Sequence, residues 1–179
     1  MKKTISLSAI FSLVLFSQTL FAQKDAFIKE YLERFENSRT YLFSVVKAMP
    51  ADKYSYKPTD DEMTFARQFL HIAGAMNYHC QELLVGKKDS RRTDSTYTVG
   101  GKSIEMMMEL VNKTFDETSS VLKQFDPSHF EDRINYGPLS RTKRQVFLLL
   151  ADHITHHRAQ MLVYLRLNGI VPPKYVEFQ

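Results

Sequence analysis

The chain has 179 residues, 44% of them hydrophobic and 25% charged, with only 6 Gly and 6 Pro. That balance excludes a disordered or fibrous chain and leaves room for long helices around one core. The formal charge of +4 is small. Its short basic clusters, Lys87-Lys88 with Arg91-Arg92 and Arg141 with Lys143-Arg144, read as solvated loop and helix-start charge, and no nucleic-acid partner is expected.

Met1-Lys2-Lys3 is a positive start, Ile5 to Phe16 is apolar, and Leu20-Phe21-Ala22 before Gln23 is an acceptable cleavage site. These three parts predict a secretory signal peptide over 1–22, followed by one domain over 23–179. The apolar run falls short of the about 20 residues a membrane span needs, so no stable span is expected after cleavage. The expected location is exported, periplasmic or secreted. Without residues 1–22 the chain keeps 22 basic and 20 acidic side chains, close to neutral. Cys80 is the single cysteine. It allows no internal disulfide, and its place in an apolar helical stripe predicts a buried thiol.

A first helix is predicted over 25–48, where Phe27, Tyr31, Phe35, Leu42, Val45 and Val46 recur at helical spacing and Pro50 stops the run. A second runs from a Thr64 N-cap to about Val85, with Gly86 as its stop and Phe65, Phe69, Ile72, Met76, Cys80 and Leu83 as its core stripe. Residues 86–102 form a long connection. The third helix follows Ser103 and ends at Asp126-Pro127, with Met106-Met107-Met108 read as adaptable core packing. Residues 126–139 read as another loop. The fourth helix takes Ser140 as N-cap and Gly169 as stop, and its Val146–Leu150 stretch, apolar all round, is placed centrally. With no strand alternation, phosphate loop or nucleophile elbow, the fold class is all-α, a four-helix bundle.

Within the last helix, Asp152-His153-Ile154-Thr155-His156-His157 places three of the six histidines close together. His153 and His157 are one turn apart on one face, a spacing at which two imidazoles can hold one metal ion. A third ligand is needed for an open site, and His71 is the best candidate, beside the second helix's stripe with small neighbours Ala73, Gly74 and Ala75. His79 competes, rotated about 80° from His71. His156 points elsewhere on its helix, and His129 is a loop residue. Residue 154 is Ile, so the glutamate base of the HExxH zinc proteases is missing and the catalytic residues are unknown.

Met49-Pro50-Ala51-Asp52-Lys53-Tyr54-Ser55-Tyr56-Lys57-Pro58, then Phe65 to Ala73, then Asp152 to Gln160, resembles the DinB-like (DinB/YfiT) metalloprotein superfamily across essentially the whole mature chain. The resemblance implies a four-helix bundle ordered up-down-down-up. It also implies a divalent metal held by three histidines, carried over here to His71, His153 and His157. Spacing offers a check on that order. His71 lies about 10 Å past Thr64, while the middle of the His153–His157 pair lies about 22 Å into its helix. Measured back from Val85, His71 is about 21 Å along, so the second and fourth helices are expected to be antiparallel.

Imidazole ligands suit Zn, Ni, Fe and Cu; zinc is the first expectation and nickel the next. The expected activity is that of a metal-dependent hydrolase, or of a thiol S-transferase as in some relatives, on a small-molecule substrate. The alternative is a non-enzymatic metal-binding, stress-response bundle. Glu82, Glu105, Glu109 and Asp152 are expected as solvated or supporting carboxylates, and Tyr78 as core or pocket lining. The resemblance also implies a homodimer.

Overall fold

The computed structural model describes residues 7–87 and 95–175. The positive start Met1-Lys2-Lys3 and the Arg91-Arg92 pair lie outside them. Four helices carry the chain: α1 Leu7–Ala48, α2 Phe65–Asn77, α3 Ile104–Gln124 and α4 Lys143–Leu167. A π-helical segment, Tyr78–Leu84, continues α2, and a hairpin of β1 Arg133–Tyr136 and β2 Leu139–Thr142 precedes α4. α1 begins at Leu7, well before residue 25, and runs unbroken past residue 22. Among the described residues, no helix is long and apolar enough to cross a membrane.

The expected stripes form one core. Leu42, Val45 and Val46 of α1 meet Phe69, Ile72 and Met76 of α2, Val111, Phe115 and Leu122 of α3, and Phe147, Leu150, Ile154 and Met161 of α4, all essentially closed to solvent. Cys80 is fully buried, and burial pushes its thiol up to about 12, so it packs as a small apolar group. Two details differ from the sequence reading. Leu148 is exposed, because a helix of this radius turns one side of even an all-apolar stretch to solvent. Of the three consecutive methionines only Met107 is buried, and Met106 is exposed.

Helix directions follow from paired side chains. Gln68 bonds Tyr164, His71 meets His157 and His79 meets His153, so α2 and α4 run antiparallel. Tyr31 donates to the Phe147 carbonyl and Arg158 donates to Ser38, so α1 and α4 run parallel. Phe27 packs on Phe125 through a shared aromatic cluster with Phe130 and Phe147, whereas Arg39 reaches Asn112, so α1 and α3 run antiparallel. The order is up-down-down-up, and the connection between α2 and α3 spans the length of the bundle.

Caps and turns set the boundaries. Thr64 and Ser103 cap α2 and α3 as their sequences foretell, each accepting from a backbone N–H three residues on. The cap of α4 is Thr142, not Ser140. Thr142 accepts from the Gln145 N–H, and Gln145 reaches back to the Thr142 N–H, a complete capping box. Ser140 lies instead in β2, opposite Asn135. Residues 133–142, read as loop and helix start, form a hairpin closed by Gly137-Pro138. Gly137 takes φ +58, the left-handed conformation a two-residue hairpin turn demands at its first position.

Candidate metal centre

His71 stands in the middle of α2, and His153 and His157 stand one turn apart in α4. The antiparallel crossing brings the three together. Their rings pair at centroid separations of 5.1 Å (His71–His153), 4.4 Å (His71–His157) and 4.5 Å (His153–His157). One nitrogen from each lies within 4.8 Å of the other two. Around a zinc ion with about 2.0–2.1 Å bonds, such nitrogens stand about 3.4 Å apart. Small rotations of the rings close the difference. These are the three histidines expected from the sequence, and as a group they can hold a metal ion.

The protein fixes how the cluster presents its lone pairs. Gln68, buried one turn before His71, accepts a hydrogen bond from His157 Nδ1 at 2.6 Å. An amide oxygen only accepts, so Nδ1 carries the proton and Nε2 keeps its lone pair. The same amide donates to the Tyr164 hydroxyl at 3.3 Å, which donates to the Met63 carbonyl at 3.0 Å. Among the described residues, His153 Nε2 is buried and without a hydrogen-bond partner. A buried ring nitrogen left this way is costly unless something coordinates it, which is how a metal fits this donor set.

All three rings are held neutral. Burial, and then the neighbouring His71, pushes His153 down to about 4 and His157 down to about 3. His71 is also lowered, by burial first and then by Arg67 and His156. Neutral imidazole is the metal-binding form, so the same burial that shapes the cluster readies it for a cation.

The other histidines fall outside the group. His79 is buried; its Nδ1 donates to the Ala75 carbonyl at 2.8 Å, and its Nε2 lies 3.4 Å from the Tyr136 hydroxyl. Its ring still comes within 5.8 Å of His153. The π-helical segment explains that approach. Val85 N–H bonds Cys80 O, five residues back, so each residue turns less than the 100° of an α-helix. His79 is thereby carried back toward the face of His71. His156 is exposed and bonded to Gln160, and His129 is an exposed loop residue paired with Asp132. Glu105, Glu109 and Asp152 are exposed and Glu82 half-buried, and none joins the cluster.

A cavity of about 390 Å³ opens onto His71 and His153. Tyr78 and His79 of the π-helical segment, Tyr97 and Thr98 of the long connection, and Tyr136 of the hairpin form its walls, with Arg67 at its rim. Sequence reasoning found the three cluster histidines and weighed Tyr78. It missed Gln68, Tyr97, Tyr136 and Arg67. The Gly137-Pro138 turn flanked by Ile134 and Tyr136 was a legible signal for the hairpin, whereas nothing local marks Gln68 as a partner of His157.

A sequence model of the DinB family matches residues 18–177. Two solved structures share the fold. A DinB-like protein from Bacillus subtilis superposes with a TM-score of 0.64 at 20% identity, covering 82% of this chain and 96% of that one. A DinB-like protein from Bacillus cereus gives 0.66 at 17% identity, covering 84% and 95%. No curated protein matches the chain.

Proposed function

The chain belongs to the DinB family, and from that premise we propose that it is a metal-dependent hydrolase or transferase whose ion is held by His71, His153 and His157. One observation carries the reading: the unpartnered Nε2 of His153 belongs to a three-imidazole cluster at the end of a cavity. A divalent ion held by three neutral imidazoles keeps its full charge and acts as a Lewis acid toward a bound water or thiol. Zinc is the ion proposed, with nickel next. Around it, Gln68 holds the His157 tautomer, and Tyr78, Tyr97 and Tyr136 shape the space a small substrate enters. Three protein ligands beside a cavity favour turnover over a purely structural ion, which would take a fourth protein ligand.

The positively charged start and apolar run support export, and export favours hydrolysis, which needs only water, over transfer from an intracellular thiol. A homodimer completes the proposal.

The test is metal analysis of the purified protein alongside His153→Ala and His157→Ala. Near-stoichiometric metal in the parent and loss in both variants is expected. Equal metal in all three refutes the ligand set. Fractionation of cells expressing the full chain checks export.

A further inference from the structure

Resting on that reading, we infer that Arg67 receives an anionic group of the substrate, so that the cavity takes a small organic anion whose other end reaches the histidine cluster. Arg67 is one helical turn before His71 on the same face and lines the same cavity. Its side chain is exposed, and among the described residues it makes no side-chain hydrogen bond and no carboxylate lies within ion-pairing distance of it.

The position is a poor one for a cation on structural grounds alone. Arg67 is the third residue of α2, counted from the Thr64 cap. There the helix dipole favours an acid, and a capping box would place Glu or Gln. α4 follows that rule with Gln145; α3, with Met106 there, and α2, with Arg67, do not. Of these two departures only Arg67 sets a positive charge against the helix dipole, and it does so on the wall of the cavity.

The remaining walls fit the same ligand. Tyr78, Tyr97 and Tyr136 present ring surface, Gly74 and Ala75 give a small-residue floor, and no described residue of the lining is acidic. Arg67 and Thr98 also border a second, wider hollow of about 820 Å³. Arg67 thus borders both spaces. Its planar fork matches a carboxylate or phosphate oxygen pair.

The test uses cobalt-substituted protein and hydroxamates, whose binding perturbs the cobalt absorption. Succinic, glutaric and adipic monohydroxamates are titrated against alkyl hydroxamates of equal length, with the parent, Arg67→Gln and Arg67→Lys. At one or more lengths the acid is expected to bind the parent about tenfold or more tightly than its alkyl counterpart. That preference falls to near one in Arg67→Gln and is partly kept in Arg67→Lys, with metal content unchanged. Phosphonate analogues preferred over the carboxylates would assign the anion as phosphate-like and support the proposal equally. No preference for an acid at any length, or one undiminished in Arg67→Gln, overturns it while leaving the metal site standing. A parent that takes up no metal overturns both.

Discussion

Gln68 holds its amide between two rings that lie 89 and 96 residues away in the chain, His157 and Tyr164. It is closed to solvent, so each lost bond leaves a buried polar group unsatisfied. Replacing it frees His157 to rotate and to exchange tautomers. Gln68→Ala is therefore expected to weaken metal binding by about 10–100-fold while the bundle stays folded, as a competition titration against a chelator of known affinity would read. A second expectation concerns acid. In the unfolded chain the three imidazoles take up protons as pH falls through about 6.5. In the fold, His153 and His157 resist until about 4 and about 3. The unfolded state therefore binds more protons between those limits, and metal-free protein loses stability as pH falls from about 6.5 toward 4. The slope is at most about 1.4 kcal/mol per pH unit for each ring, less because the cavity admits solvent. Urea unfolding at several pH values, with His153→Ala and His157→Ala flattening the slope, checks it. The His153–His157 pair was legible in the sequence because a four-residue interval on one helix is local information, and His71 came from its place beside the second helix's stripe together with the family resemblance. Gln68 was not legible, since a buried amide becomes a ring partner only once α2 and α4 are crossed.

At the scale of elements, the helices declared themselves through apolar periodicity, and their starts through the capping residue that directly precedes the apolar run. Ser103 and Thr64 are such residues, Thr64 even with Asp60 and Asp61 close before it. At the start of α4, Ser140 and Thr142 compete, and the hairpin decides between them by drawing Ser140 into β2. Because Thr142 and Gln145 satisfy each other's backbone groups, Thr142→Ala is expected to cost about 1 kcal/mol, against little for Ser140→Ala, in denaturant unfolding of the metal-free protein. The π-helical segment left no trace in periodicity, because one extra residue in a short segment shifts the stripe by less than side chains vary. Its effect is nonetheless chemical, since it turns His79 toward His153 and Tyr136. The hairpin adds Tyr136 to the same wall. The parts of the site the sequence did not yield thus come from the two irregular elements and the long connection, and the parts it did yield come from regular helix.

For the whole molecule, the order of the helices makes the cluster a cross-link. His71 belongs to the first half of the bundle and the His153–His157 pair to the last helix, and they meet because α2 and α4 run antiparallel. The family resemblance implied this order and spacing agreed with it: an antiparallel arrangement brings residue 71 level with residue 155. The unfolded chain has no such arrangement, so an ion bound by all three rings favours the folded state by mass action. At a free metal concentration of 100 times Kd the gain is about 2.7 kcal/mol. For a chain of this size that corresponds to a rise in Tm of roughly 5–11 °C. Stripping the metal with a chelator is expected to remove that increment, and restoring zinc to return it. His71→Ala is expected to unfold at one temperature with or without zinc, because two ligands on one helix no longer tie it to another. A zinc-dependent rise that survives in His71→Ala would place the stabilising ion elsewhere and break the link between bundle order and metal site.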